Sequence, residues 1–540
     1  MNRYERLRPE EAFEEATILL SRTNPRNTWS LCALLSTTDA FVKDFKDFLF
    51  FPHLNFERVR VLCEVVLDSK ALDYKTGDLT TDEIIDVLNY GHRAFTDYEG
   101  IRLMEDLRGR ASSDLALLVY LSRLGNIQRR YQDHRFHERV GRLIGMVEDL
   151  PQTHRHKMPA EFWTMADPTL RAIRDFIGFP ILSLAAVILG LLELYDRPYQ
   201  KLLGQFDRDA ARKAGPVECF RVLLDHRHEW QPRFVLPVKL TEERTHLTRF
   251  LELFARTTRQ LRELRQNDPV YRSGGIARRL SPLERYPVVW LSNTEVVIPN
   301  VRYLYRSFAD IIHFSLLEEK ITDYDPVRGG LQELYLQVLL ETRLPGITII
   351  PERSYRRGKQ SVRGADLTLI EDDRLVLVES KAKRLRAETR LGMLPEELLK
   401  DLGGAVEAVD KSEGKIGELY AGIPEFADIQ AIIDRTKNKP PITVAVVGEE
   451  ITMMGEVIHE FTKSYPDYPL AGTKGLYCIL GIDAFERAVE VAATAGRKLG
   501  DLLEAYIAGA AANRPDTPGV DDFGGSIDLE NTFALSFFHE

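Results

Sequence analysis

Two short runs of β-forming residues, Leu367 to Ile370 and Leu375 to Val378, flank the polar run Glu371, Asp372, Asp373 and Arg374. Runs of that kind around a tight polar turn predict a hairpin with Asp372 and Asp373 at its tip. The turn then fixes every pairing outward from it. With a loop of two residues or of four, partner numbers sum to 745, so Ile370 faces Leu375 and Asp366 faces Glu379.

Directly opposed residues on one face of an antiparallel pair have Cβ atoms about 5 Å apart. At an effective dielectric near 20, two carboxylates at that separation repel by roughly 3 kcal/mol, so the site should hold a proton or capture a cation. Glu379 and Lys381 are two apart and share a strand face, whereas Val376, Val378 and Ser380 point to the other. Hard oxygen donors on a sheet suit Mg²⁺ or Mn²⁺, and Lys381 beside such an ion could hold or deprotonate a water aimed at phosphorus.

Asp366 followed 13 residues later by Glu379-Ser380-Lys381 resembles the motif of the PD-(D/E)xK nuclease superfamily, with Ala365 where the family has proline. The resemblance implies a Mg²⁺-dependent (or Mn²⁺-dependent) endonuclease. Asp366 and Glu379 would bind the metal, the Ser380 backbone carbonyl would complete its shell, and Lys381 would act on the water. Members of the superfamily often add a glutamate from the first helix, here Glu333. The order of elements over 328–482 agrees: helix Leu331 to Leu344, strand Ile347 to Ile350, the two hairpin strands, helix Pro395 to Tyr420, strand Ile442 to Val447, helix Met453 to Phe461 and strand Leu476 to Ile482. That is the superfamily's α-β-β-β-α-β core with one unit added.

The rest of the chain resolves more coarsely. Up to about Arg285 the apolar spacing is helical, with Thr241 to Gln266 reading as one long amphipathic helix. A hairpin, Val288 to Leu291 with Glu295 to Ile298, and a helix Val301 to Glu319 follow; Ala484 to Ala512 reads as a final long helix. The expected fold is a multidomain α+β chain with a restriction-endonuclease-like α/β domain and central mixed sheet at its C-terminal end. Its parts are an α-helical sensor or partner region at 1–285, to which no family is assigned, a hairpin and connecting helix at 286–327, the nuclease-like domain at 328–512 and a flexible tail at 513–540. Ile527, Leu529, Phe533, Leu535, Phe537 and Phe538 make that tail adhesive, so it docks on its own chain or on a neighbouring subunit, and a homo-oligomer is expected.

Composition limits the partners. With 44% hydrophobic and 29% charged residues the chain is ordinary for a globular protein, and a net charge of −10 excludes an overall basic coat. Nucleic acid must then be met by a local patch. Arg353, Arg356, Arg357, Lys359, Arg363, Lys383 and Arg384 supply one, within a stretch from Arg353 to Arg390 that carries 11 basic and 6 acidic residues, a balance of +5. Tyr355 in that strip could stack on a base. Four scattered cysteines without a CxxC pair exclude the usual zinc spacings and fit a cytoplasmic setting. The histidine pairs 134/137, 154/156 and 226/228 lack carboxylate or cysteine partners at ligand spacing and read as structural. No signal peptide is visible, and the apolar stretch Phe176 to Leu192, 17 residues with Gly178 and Pro180 inside, reads as a core helix and not as a membrane span.

The expected function is cleavage of nucleic acid, DNA in preference to RNA, in antiviral defence against foreign DNA. Alternatives are a catalytically silent nucleic-acid or partner-binding module on the same fold, and an RNA-cleaving nuclease.

Overall fold

Helical spacing in one part of the chain and alternating apolar runs in another lead to two compact units, but the chain crosses between them more than once. A computed structural model describes residues 7–40, 56–69, 77–94, 136–205, 216–238, 245–268, 271, 281–383, 395–448, 457–460, 463 and 475–511. One unit takes residues 1–98, 130–136 and 174–315; the other takes 99–129, 137–173 and 316–540. The division therefore differs from the linear one at 285 and 327, because a segment from the helical first half belongs with the C-terminal sheet.

In the first unit, helices Pro9–Leu20, Pro25–Ala40, Phe56–Asp68 and Thr81–Ala94 enclose a core that includes Trp29, Leu34, Val59 and Val87. Four short strands, β1 (Val235–Pro237), β2 (Ala255–Thr257), β3 (Val288–Ser292) and β4 (Glu295–Val297), form a sheet in the order β1-β4-β3-β2. The expected helix Thr241 to Gln266 is two helices, Thr245–Phe254 and Thr258–Asn267, separated by β2. Thr257 starts the second with a capping box to Gln260, and the apolar period simply continues across the break. The helix Ile181–Gln205 buries Leu184, Ala185, Ile188, Leu191 and Tyr195 along one face and leaves Leu182 and Leu194 each 46% exposed. Among the described residues one stretch, Ala160–Leu202, has the length and composition to cross a membrane.

The second unit is built on a mixed five-stranded sheet. Its strands are β5 (Thr348–Pro351), β8 (Leu367–Glu371), β9 (Arg374–Lys381), β10 (Ile442–Val447) and β11 (Leu476–Gly481), in the order β11-β10-β9-β8-β5. β9 pairs antiparallel with β8 and parallel with β10, so it is central. The segment read as a basic loop is itself a hairpin, β6 (Ser354–Arg357) with β7 (Gln360–Arg363), turning at Gly358, whose φ is 61°. Among the described residues the longer helices that accompany the sheet are α1 (Phe136–Ile144), α2 (Ala160–Ile177), α3 (Tyr324–Arg343), α4 (Pro395–Ala421), α5 (Ile482–Ala495) and α6 (Leu499–Ala511).

α3 begins seven residues before the expected Leu331, and it runs through Gly329 and Gly330. Gly330 is there for space: a Cβ would lie 2.3 Å from the Phe162 ring of α2. The expected long helix from Ala484 splits into α5 and α6 because Gly496 closes α5 in the left-handed region, φ 60°, its N–H donating to the Ala492 carbonyl. On β9, Leu375 and Leu377 face a core shared with Ile416 and Leu419 of α4. The expected helix at Met453 to Phe461 lies largely outside the described residues, and the tail at 513–540 lies wholly outside them.

Candidate active site

The β8–β9 register is the one dictated by the turn: Glu371 faces Arg374, Ile370 faces Leu375 and Leu367 faces Val378. Asp372 takes a positive φ of 47° at the tip, the conformation that a two-residue hairpin loop demands. Next outward in this register stand Asp366, just before β8, and Glu379.

Strand alternation does the rest. Leu375 and Leu377 are locked in the core against α4, and the same face continues into Glu379 and Lys381 at the end of β9. Ser380 points the other way, its Oγ accepting a hydrogen bond at 3.1 Å from Gln332 of α3. Thus a rigid, central strand carries two charged residues to the rim of the sheet.

Lys381 Nζ lies 3.4 Å from Asp366 Oδ2 and 3.4 Å from Glu379 Oε2. Asp366 Oδ2 also accepts the Ser380 backbone N–H at 2.6 Å. Since an extended residue points its N–H and C=O to the same strand edge, the Ser380 carbonyl shares the Asp366 side. Both carboxylates are largely withdrawn from water, with side chains 11% and 4% exposed. The predicted repulsion is met by cations from the chain itself: Lys381 between the two acids, and Lys415 of α4, whose Nζ lies 2.5 Å from Glu379 Oε1 and 2.9 Å from the Gly364 carbonyl.

The electrostatics follow from burial and crowding. Burial, then the neighbouring Asp366, push the Glu379 carboxyl above its ordinary value against the pull of Lys415 and Lys381. For Lys381 burial works against the ammonium, but Asp366 and Glu379 outweigh it and raise its pKa. Glu333, part-buried on α3, is pushed up to about 8 by burial first and then by Asp366 and Glu352. Glu352 is raised by burial and by Asp366 despite Arg363. Burial and crowding thus favour the protonated form of Glu333, while Lys381 and Lys415, with Arg363 at Glu352, offset the charge of the other acids.

The expected site residues Asp366, Glu379, Lys381 and Ser380 come together, with Glu333 within electrostatic reach. Lys415 and Glu352 were not read from the sequence. Lys415 had a signal: Ala405, Ala408, Ser412 and Leu419 are all buried, and Lys415 continues their spacing of three and four on α4. A lone lysine on such a stripe needs an acidic partner.

The basic strip is less free than its composition implies. Arg353 pairs with Asp428 at 2.9 Å, Arg357 with Glu418, Arg363 with Glu352 at 3.7 Å and Lys383 with Asp401 at 3.7 Å. Arg356 and Lys359 are exposed on the β6–β7 hairpin, and Arg384 lies outside the described residues. Tyr355 cannot stack on a base: it is 3% exposed, sits edge-on to Phe426 and donates its hydroxyl hydrogen to Glu418. Glu371 and Arg374, which the sequence leaves either in the loop or as its first facing pair, are a facing strand pair and are buried. Glu371 accepts the Leu499 and Gly500 amides that open α6, and Arg374 donates to the Gly500 carbonyl and to Glu504.

Among the described residues no three His, Cys, Asp or Glu side chains already converge as a metal cage. Of the histidine pairs, His226 and His228 lie against Glu229 and Asp78, and His154 stacks on His156. The donor set at the end of β9 nonetheless fits a hard divalent ion, because two carboxylates already converge on one positive point, the Lys381 ammonium. The chain matches no known protein family, and neither a curated protein nor a solved structure is significantly similar to it.

Proposed function

We propose that the C-terminal unit is a restriction-endonuclease-like domain that hydrolyses phosphodiester bonds of nucleic acid, DNA in preference to RNA, in a cytoplasmic defence against foreign DNA. The observation that carries the reading is the meeting of Asp366 and Glu379 at Lys381 Nζ, at the C-terminal end of the central strand. The order of strands around β9, with α3 before them and α4 between β9 and β10, supports the same class.

A bound Mg²⁺ or Mn²⁺ would supply Lewis-acid stabilisation of charge on the phosphate and acidify a water. Asp366 and Glu379 would hold it, with the Ser380 carbonyl and Glu333 as further oxygen donors. Lys381, a cation on the same strand face as Glu379, would orient a water and offset charge on the phosphate. The Ser380 amide keeps one Asp366 oxygen fixed, so the carboxylate is oriented before any ligand arrives. Arg356 and Lys359 are exposed cations suited to phosphate contact.

The test is incubation of purified protein with plasmid DNA, single-stranded DNA and RNA in Mg²⁺, Mn²⁺ or EDTA. Metal-dependent cleavage is expected, with Lys381→Ala slowing it by at least a hundredfold at undiminished nucleic-acid binding. Equal cleavage by wild type and Lys381→Ala would refute the mechanism. Binding without cleavage in every metal would make the unit a silent binding module instead.

A further inference from the structure

We propose that Lys415 makes this site selective for small octahedral cations over Ca²⁺, by holding one oxygen of Glu379 and leaving that carboxylate a single free oxygen. The inference rests on the metal-dependent reading above and concerns which ion the site accepts.

The two oxygens of Glu379 are not equivalent. Oε1 faces α4 and receives Lys415 Nζ at 2.5 Å, whereas Oε2 faces Lys381 at 3.4 Å, on the side shared with Asp366. The Lys415 contact is short, its side chain is only 15% exposed, and a charge-assisted bond so placed is little screened by salt. Lys415 also donates to the Gly364 carbonyl at 2.9 Å, two residues before Asp366. One ammonium thus fixes both carboxylate-bearing segments from a helix 36 residues away in sequence. Lys381 cannot play this part, because it stands between the acids where an ion would go.

Coordination chemistry converts that asymmetry into selectivity. Ca²⁺ gathers about 6–8 oxygens and commonly takes carboxylates through both oxygens, whereas Mg²⁺ keeps an octahedral shell with waters and single-oxygen carboxylates. Chelation through both Glu379 oxygens would break a buried ion pair and strand the Lys415 ammonium, a cost that falls on Ca²⁺ far more than on Mg²⁺ or Mn²⁺. A purely structural brace would stabilise the fold and leave the ratio of the two affinities untouched.

The experiment is calorimetric titration of full-length protein with Mn²⁺ and with Ca²⁺, without nucleic acid, for wild type, Lys415→Gln, Lys415→Met and Lys415→Arg. Glutamine keeps a donor for Gly364 if methionine disturbs folding. Wild type should bind Mn²⁺ roughly tenfold or more tighter than Ca²⁺. The two neutral variants should narrow that ratio at least about fivefold, and arginine should restore it. An unchanged ratio in folded neutral variants overturns the role of Lys415, as does wild-type Ca²⁺ affinity equal to that for Mn²⁺. Asp366→Asn separates the two claims: if it leaves Mn²⁺ binding intact, or wild type binds no Mn²⁺, the metal site itself is refuted and this inference with it.

Discussion

Glu333 carries a proton because of what surrounds it, and that gives the fold a pH signature. Its folded pKa of about 8 lies above the ordinary 4.5, so the folded chain binds this proton more tightly than the unfolded chain does. Its contribution to stability is therefore full below pH 4.5 and is lost as pH rises toward 8. One such group accounts for a slope of at most about 1.4 kcal/mol per pH unit. Urea melts from pH 5 to 9 should show stability falling across this window, and Glu333→Gln should flatten the fall; equal slopes would place the proton elsewhere. At this scale the sequence was legible where a short-range rule applied. The turn dictated the register out to Leu367 opposite Val378, and β alternation dictated the shared face of Glu379 and Lys381. Lys415 escaped because no local rule links residues 379 and 415: only the packing of α4 on β9 brings them together.

The β6–β7 hairpin is the element on which nucleic-acid binding can be tested most directly. Arg357 is tied to Glu418 and Arg353 to Asp428, so replacing them disturbs the hairpin itself, whereas Arg356 and Lys359 are exposed. Arg356→Glu with Lys359→Glu should weaken DNA binding and lower the slope of log affinity against log salt by about 2, one for each lost phosphate contact. The melting temperature should stay put, and an unchanged salt slope would return the hairpin to an ordinary solvated surface. Elements were legible by type and less so by extent. β10 was read over its observed span, Ile442–Val447. By contrast, the two long helices each hid a break, at Thr257 and at Gly496, because apolar period survives a cap that only backbone geometry reveals. Glu371 and Arg374 are polar residues beside the turn that α6, an element more than a hundred residues downstream, buries, and nothing in their local sequence signals it.

On the scale of the whole molecule, the segment 137–173 belongs with residues 316–540, and buried charge binds it there. Arg139 and Arg142 of α1 reach Asp483 of α5, and Arg142 also faces Glu486, whose other partner is the Tyr335 hydroxyl at 2.5 Å. Burial opposes the Arg142 charge, yet Glu486 and Asp483 outweigh it and hold the guanidinium charged. Glu486 in turn is pushed up to about 7 by burial, with Arg142 pulling it down. Arg142→Met should cost about 3–5 kcal/mol, because it leaves Glu486 in the interior without its cation and Asp483 with Arg139 alone. Adding Asp483→Asn should recover part of it; chemical denaturation of the three proteins measures both, and a loss under about 1 kcal/mol would mean that water reaches the cluster. No sequence pattern announced this pairing, since the α1 arginines sit in a stretch whose helical spacing is indistinguishable from that of its neighbours.

That pairing also has a cost in time. Arg142 and Asp483 are separated by 341 residues of chain. At synthesis rates of about 5–20 residues per second, α1 leaves the ribosome roughly 17–70 s before its acidic partners exist. Throughout that interval the Arg142 side chain, buried in the finished protein, has no acidic partner on α5. The second unit therefore cannot close its buried ion pairs until α5 has been made.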